Sequence, residues 1–248
     1  MALEKTRAIV LKSFPYGDTS KIARCYTREF GKISVIGKGI RKSKTLQSGY
    51  LEPLNYLDLM FYHNIKRQLQ IFSGAEYVET WSALKKDVRK MSYGFAVAEL
   101  TDKAVTGVEP HEELFQLIVD VLKSINDIDS NINLLFWYFE IHLLSLMGFH
   151  PSLSKCPRCH KELEGGRFSL EYGELVCDSC AGMGTLVSAR AIGILRDTQH
   201  GTLEDVVSIV LRKGDRQEIG HFLSEYMKYH MEGLGEVKSL KVMEKVLA

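Results

Sequence analysis

The sequence predicts an α+β chain in which a small five-stranded β-barrel precedes an all-helical domain interrupted by a four-cysteine module. Three observations predict this organisation. Short β-branched and aromatic runs fill the first eighty positions, helical periodicity begins after Trp81, and two C-x-x-C pairs interrupt the helical part. We therefore expect one domain over 1–80 and a second over 81–248, with the cysteine module inserted at 155–181.

The barrel strands are predicted from alternating or continuous apolar runs bounded by turn residues. Glycine-containing turns at 15–18 and 29–32 make the first three strands antiparallel neighbours. The five predicted strands cover 6–14, 20–27, 32–36, 54–63 and 69–78. Five short strands in about eighty residues fit a barrel of the oligonucleotide/oligosaccharide-binding (OB) kind, and an SH3-like barrel has similar counts.

The helices are predicted from apolar residues that recur at helical spacing. Ser82 is the expected N-cap of the first helix, and Asn131 precedes the most apolar one. The predicted helices cover 82–105, 112–125, 131–147, 188–198 and 215–231. The third is apolar enough to suggest a membrane span, but Glu140 and His142 lie at its middle, where charge is costly. We expect a buried core helix and no membrane association.

Composition and charge narrow the function. The chain has 248 residues, 45% of them hydrophobic and 25% charged, enough to bury a sizeable core. Its charged amino terminus lacks a secretory signal, so we expect a cytoplasmic protein without disulfides. Residues 1–80 hold thirteen basic and seven acidic side chains, a net charge of +6, whereas the whole chain carries +1. This asymmetry favours a polyanionic partner at the amino-terminal domain.

The two C-x-x-C pairs predict a zinc site. Four thiolates at this spacing suit one tetrahedral ion, and a closed shell of four cysteines leaves no position for water or substrate. The predicted ligands of this single structural zinc ion are Cys156, Cys159, Cys177 and Cys180. The remaining cysteine, Cys25, falls in a predicted strand, where a small buried apolar residue is expected.

The best candidates for nucleic-acid contact are basic residues in loops of the barrel. A glycine-containing loop after the third strand offers backbone amides and four cations to phosphate, and a second hairpin adds two cations. These residues are Lys38, Arg41, Lys42 and Lys44 in the loop and Lys66 and Arg67 in the hairpin. The tyrosines that could stack on bases are Tyr16, Tyr26, Tyr50, Tyr56 and Tyr62. No catalytic constellation appears, and we expect no enzymatic activity.

Five segments form a pattern found across a known family. They are AIVLK at 8–12, PYGDTS at 15–20, YTREFGK at 26–32, KGIRK at 38–42, and MGFHP at 147–151, which leads into Cys156. Together they resemble the bacterial recombination-mediator family RecO over essentially the whole chain. The resemblance implies an amino-terminal OB-fold, a helical second domain and an inserted zinc module, as the residues themselves predict.

The resemblance also implies a function. Members of the family bind single- and double-stranded DNA, anneal complementary strands and act in the RecF recombination pathway of DNA repair. With RecR and RecF, they load RecA onto strands coated by single-strand-binding protein, whose tail they contact. Carried over residue by residue, the motif makes Lys38 and Arg41 the leading DNA contacts, followed by Lys12, Lys42 and Lys44. The alternatives are a zinc-dependent enzyme that processes nucleic acid and a protein-binding scaffold without DNA contact.

Overall fold

The computed structural model of the protein describes residues 2–42, 47–107, 109–231, 234 and 237–239. These residues group into two compact units. The first ends at Asp127 and takes in 237–239, and the second begins at Ile128. The helices between Trp81 and Asp127 therefore group with the barrel. The domain boundary after residue 80, which follows the change from strand to helix, stays a prediction.

The first unit opens with a closed five-stranded barrel. Its elements are β1 (Ala2–Tyr16), β2 (Ser20–Thr27), β3 (Gly31–Gly37), the short helix α1 (Gln47–Tyr50), β4 (Tyr56–His63) and β5 (Leu69–Glu79). The strand order is β1-β2-β3-β5-β4, in which β3 and β5 are parallel and the other pairs antiparallel. This order confirms the predicted OB type of barrel.

Alternate residues of each strand fill the barrel interior. On β2, Ala23 and Cys25 point inward and are fully buried, and they pack with residues of the other strands such as Val10 and Phe61. Burial raises the pKa of the Cys25 thiol to about 12. A thiol that stays protonated among apolar side chains is a packing residue, as the sequence predicted.

Three helices complete the first unit: α2 (Ser82–Lys86), α3 (Val88–Ala104) and α4 (Glu112–Asp127). The predicted helix over 82–105 is divided at Asp87, whose side chain accepts a hydrogen bond from the Lys90 amide at 2.8 Å and so caps α3. The prediction that Ser82 caps the first helix is wrong. The Asn126 side chain instead accepts from the first amides of α2, those of Ala83 and Leu84, at 3.1 Å each.

The second unit combines helices with a small sheet. Its elements are α5 (Ile132–Leu146), β6 (Gly166–Ser169), β7 (Glu174–Val176), β8 (Thr185–Val187), α6 (Ala189–His200), α7 (Leu203–Val207) and α8 (Lys213–His230). The sheet has the order β7-β6-β8, in which β6 and β7 lie within the predicted cysteine module and β8 follows it. The Phe168 ring of β6 lies 5.9 Å from Phe222 and 5.5 Å from Tyr226, so the sheet packs on α8.

Helix α5 is buried along most of its length. Eleven of its fifteen residues are buried, among them Glu140. Burial raises the pKa of the Glu140 carboxyl to about 8. Within the described residues, no helix has both the length and the apolarity needed to cross a membrane.

Candidate nucleic-acid interface and metal centre

The structure sorts the basic residues of the first eighty positions into two groups. In the first group, each cation forms an ion pair with an acid of its own unit. These residues are Lys5, Arg7, Lys21, Arg24, Arg28 and Lys32, paired with Asp58, Glu52, Asp102 and Glu112. A cation next to a carboxylate presents little net charge to an external phosphate. These six side chains are therefore poor candidates for DNA contact.

Two of the paired cations lie on the outer face of β2 and β3, which OB-folds commonly use to bind oligonucleotides. The Arg24 Nη1 lies 2.9 Å from both carboxylate oxygens of Asp102. Lys32 donates to the main-chain carbonyls of Asp102 and Val105 and so caps the carboxyl end of α3. Burial lowers the pKa of Lys32, an effect that the Asp102 carboxylate opposes.

Aromatic packing covers the same face further along β2. The Tyr26 side chain, which shares this face with Arg24, has 0% exposure and stacks on Phe115 of α4 with ring centroids 6.5 Å apart. Helices α3 and α4 thus cover this face at Arg24 and Tyr26 of β2 and at Lys32 of β3. That part of the barrel surface is not accessible to a nucleic acid.

The second group of cations makes no ion pair among the residues that the structure describes. Its members are exposed and belong to the set predicted from the sequence: Lys12, Lys38, Arg41, Lys42, Lys66 and Arg67. The seventh predicted residue, Lys44, lies outside the described residues. The unpaired positive charge of the barrel is therefore concentrated in loops and at the exposed end of β1.

Hydrogen bonds join the turn that follows β3 to the turn between β1 and β2. The Arg41 amide donates to the Thr19 carbonyl at 2.9 Å, and its guanidinium donates to the Gly17 carbonyl at 3.1 Å. Gly17 and Gly39 have positive φ values of 55° and 69°, which favour glycine in these turns. Lys38, Arg41 and Lys42 consequently lie beside the β1–β2 turn. We call this region, residues 12–20 and 38–42, the hairpin end.

Lys66 and Arg67 lie at the other end of the barrel. Their hairpin follows His63, whose ring lies 5.1 Å from Phe30 in the turn between β2 and β3. The eight residues of β2 separate that turn from the hairpin end by about 23 Å, at about 3.3 Å per residue. The structure therefore divides the predicted DNA contacts between two places.

The aromatic candidates for base stacking divide into buried and exposed rings. The tyrosines that are mostly buried against other rings are Tyr26, Tyr50 and Tyr56. Tyr16 and Tyr62 are 55% and 40% exposed, at the hairpin end and on β4 respectively. The structure adds Phe14, 39% exposed on β1, which the sequence analysis did not select. Its two-residue spacing from Lys12 and Tyr16 was the signal that could have identified it.

The four predicted zinc ligands form one cluster in the second unit. Their Sγ atoms all lie within 4.8 Å of one another, and those of Cys159 and Cys177 are 3.6 Å apart. A tetrahedral ion at about 2.3 Å from each sulfur needs S···S separations of about 3.8 Å. Within the described residues, this is the only cluster of metal-binding side chains found. The geometry and the soft donor set fit a metal ion.

Two turns hold these sulfurs in place. The His160 amide donates to the Cys156 carbonyl at 2.8 Å, and the Cys180 amide donates to the Cys177 carbonyl at 2.9 Å. Burial raises the pKa of the Cys156 thiol, but amides that include those of Cys177 and Cys159 lower it, to about 6 overall. Side-chain hydrogen bonds with the Cys159 and Cys177 sulfurs raise the pKa of Cys180 to about 12. A bound cation would favour the thiolate form of all four.

These features define a class of protein. The chain has an OB barrel whose usual binding face is partly covered by its own helices, and a helical unit that carries a four-cysteine module able to hold a metal ion. The unpaired cations of the barrel lie at two loop ends.

Comparison with known proteins identifies the family. Residues 1–81 match the model of the recombination protein O N terminal, and 85–241 match that of the recombination protein O C terminal. The DNA repair protein RecO of Pelotomaculum thermopropionicum is 30% identical over 236 residues, or 94% of this chain and 91% of the relative. RecO of Salinibacter ruber is 24% identical over 246 residues, or 99% of this chain and 95% of the relative. The chain belongs to the RecO family.

Proposed function

We propose that this protein is a recombination mediator of DNA repair that binds single- and double-stranded DNA and anneals complementary strands. In this proposal it acts in the RecF pathway. With RecR and RecF, it loads RecA onto strands coated by single-strand-binding protein, whose tail it contacts, and it works in the cytoplasm at the nucleoid. Membership of the RecO family supports the role in repair. The observation that supports DNA contact is the group of exposed cations at the hairpin end, which form no ion pair among the described residues.

The mechanism needs electrostatics and no reaction centre. Two complementary strands repel each other because both are polyanions, and the repulsion slows their encounter. Exposed lysine and arginine side chains neutralise phosphates, while the bases remain free to pair. Lys38, Arg41 and Lys42 lie on one turn, so they contact neighbouring phosphates of one strand. Binding of this kind depends steeply on salt and little on sequence.

A salt titration with the double variant Lys38→Ala/Arg41→Ala tests the DNA contact. Each phosphate contact contributes a slope of about 0.7 for single strands and about 0.9 for duplex in a plot of log affinity against log salt. Loss of two contacts therefore reduces the slope by about 1.4 and 1.8 respectively, and it lowers affinity at low salt. The measurement is the anisotropy of a labelled oligonucleotide at salt concentrations from about 50 to about 200 mM.

The matched control is Lys5→Ala/Arg28→Ala, which removes the same net charge from cations that already pair with acids. We expect its slope to stay close to that of the parent protein. Equal slopes for the hairpin-end variant and the parent would contradict the proposed contact. Thermal unfolding of both variants checks that loss of the Arg41 hydrogen bond to Gly17 leaves the barrel folded.

An annealing assay tests the mediator role separately. Complementary strands precoated with single-strand-binding protein are mixed with the protein, with and without RecR. We expect annealing on the coated strands, and the effect of RecR shows whether the two proteins act together. Annealing of bare strands only would refute the mediator role while leaving DNA binding intact.

We further propose that the metal is one zinc ion with a structural role. Cys156, Cys159, Cys177 and Cys180 would be its ligands, and a full thiolate shell supplies stability rather than a reactive water. Cobalt substitution distinguishes this from the alternative of a zinc-dependent nucleic-acid enzyme. A structural site gives a strongly tetrahedral spectrum without an exchangeable water, whereas an exchangeable water on cobalt would favour the enzyme.

A further inference from the structure

Two exposed aromatic rings stand side by side on the hairpin end. Lys12, Phe14 and Tyr16 alternate along β1, and their cross-strand partners on β2 are Arg24, Ile22 and Ser20. The intervening Ser13 pairs with Ala23, whose side chain is in the barrel core, so the three alternate side chains face outward. Phe14 is 39% exposed and Tyr16 is 55% exposed.

The spacing of the two rings suits separate bases. Residues two apart on a strand are about 7 Å apart, so each ring offers its own surface for stacking. On the same face, Phe14 pairs with Ile22 of β2 and Ile22 pairs with Ile36 of β3, and these two isoleucines are 9% and 8% exposed. The row that includes Phe14 is therefore apolar across three strands.

The unpaired cations are contiguous with these rings. The Arg41 guanidinium donates to the carbonyl of Gly17, the residue directly after Tyr16. Only one of its nitrogens is used in the described contacts, so further donors remain for phosphate. Lys12 lies on the same face of β1, before Phe14. Positive charge thus flanks the two rings along one edge, the combination that single-strand sites use.

We propose that Phe14 and Tyr16 form a base-stacking platform that makes the hairpin end prefer unpaired strands over duplex. This inference rests on the proposed DNA contact of the same site. In a duplex the base faces are covered by their neighbours, so only the cations have partners there. In a single strand the faces are accessible, and stacking adds affinity without adding phosphate contacts.

The test compares a labelled single strand with the duplex of the same sequence. The double variant Phe14→Ala/Tyr16→Ala is expected to lose about tenfold or more in single-strand affinity, because stacking contributes this much per base. Duplex affinity should change less than about twofold, and the salt slope should stay constant because no cation is removed. The conservative variant Tyr16→Phe keeps a ring and should retain single-strand affinity.

Tyr229→Ala is the matched control, since it removes a tyrosine of similar exposure, 44%, from α8 of the second unit. We expect its single-strand affinity to match that of the parent protein. Equal losses in Tyr229→Ala and in the double variant, equal losses on both DNA forms, or unchanged single-strand affinity in the double variant would each overturn the platform. Thermal unfolding of each variant separates these outcomes from a general loss of structure.

The two proposals fail in different ways. If Lys38→Ala/Arg41→Ala weakens binding but Phe14→Ala/Tyr16→Ala does not, the DNA contact stands and the platform is wrong. If the parent protein shows no salt-dependent affinity for either DNA form, the DNA contact itself is wrong.

Discussion

Asp102 of α3 forms ion pairs with Arg24 and Lys32 on the outer face of the barrel. The substitution Asp102→Asn tests how much these pairs contribute to the stability of the first unit. The change keeps the shape of the side chain and removes its charge. In the parent protein the carboxylate accepts from Arg24 at 2.9 Å and lies 3.8 Å from the Lys32 ammonium. After the change, two neighbouring cations share this region without a counter-charge. We expect the first unit to lose stability.

The magnitude follows from the burial of the three side chains. Asp102 and Lys32 are 14% and 16% exposed, so solvent screens this pair only partly, whereas Arg24 is 38% exposed. Removal of one partner of a buried ion pair costs about 3 to 5 kcal/mol, and exposed pairs contribute about 0 to 1 kcal/mol. Lys32 keeps its main-chain acceptors at Asp102 and Val105. We therefore expect a loss of about 2 to 4 kcal/mol.

The assay is urea unfolding followed by tryptophan fluorescence. The chain has two tryptophans, Trp81 in the first unit and Trp137 in the second, so a Trp137→Phe background reports on the first unit alone. Asp58→Asn is the control, since Asp58 pairs with the more exposed Lys5 and Arg7 and should cost about 1 kcal/mol or less. A change below about 0.5 kcal/mol for Asp102→Asn would refute the attachment of α3 through these charges.

Two further predictions concern the second unit. We expect the Cys159→Ser protein to contain less than one zinc ion per chain and to unfold at a lower temperature, with annealing affected only secondarily. Stoichiometric zinc by metal analysis, together with unchanged thermal stability, would contradict the structural role. The pKa of Glu140 in the folded protein, about 8, lies above the ordinary value of 4.5. The stability that the protonated Glu140 carboxyl contributes is therefore complete below pH 4.5 and is lost as the pH rises through 8. Glu140→Gln should therefore become more stable than the parent protein as the pH rises from about 5 to about 9. The gain is at most about 5 kcal/mol, at about 1.36 kcal/mol per pH unit of pKa shift. Denaturant unfolding across this pH range measures it, and parallel profiles for the two proteins would refute the prediction.

The elements that the sequence predicted correctly are those with strong local signals. The barrel strands follow from residue alternation and glycine turns, and the observed bounds of β2 are those predicted. The two cysteines of each C-x-x-C pair lie together because each pair forms its own tight turn, and the spacing of the two pairs signals that they share one site. Where the signal is local and repeated, the sequence pattern alone predicts the element.

The elements that the sequence missed depend on contacts between distant residues. The start of α2 is capped by Asn126, more than forty positions away, so Ser82 was the wrong cap despite its suitable chemistry. The strands β6, β7 and β8 have three or four residues each, too few for a periodic pattern. Their formation depends on packing such as that of Phe168 against α8.

The same limit applies to the charge of the barrel. The net charge of +6 over 1–80 omits Asp102 and Glu112, which lie later in the chain and neutralise Arg24, Lys32 and Arg28. The cations that remain are those at the loop ends. Because α3 and α4 cover Arg24 and Tyr26 of β2 and Lys32 of β3, we propose that DNA follows the hairpin end, where positive charge lies next to exposed rings. In this proposal a preference for unpaired strands follows from the fold, since the edge that the helices leave uncovered is the one that offers stacking.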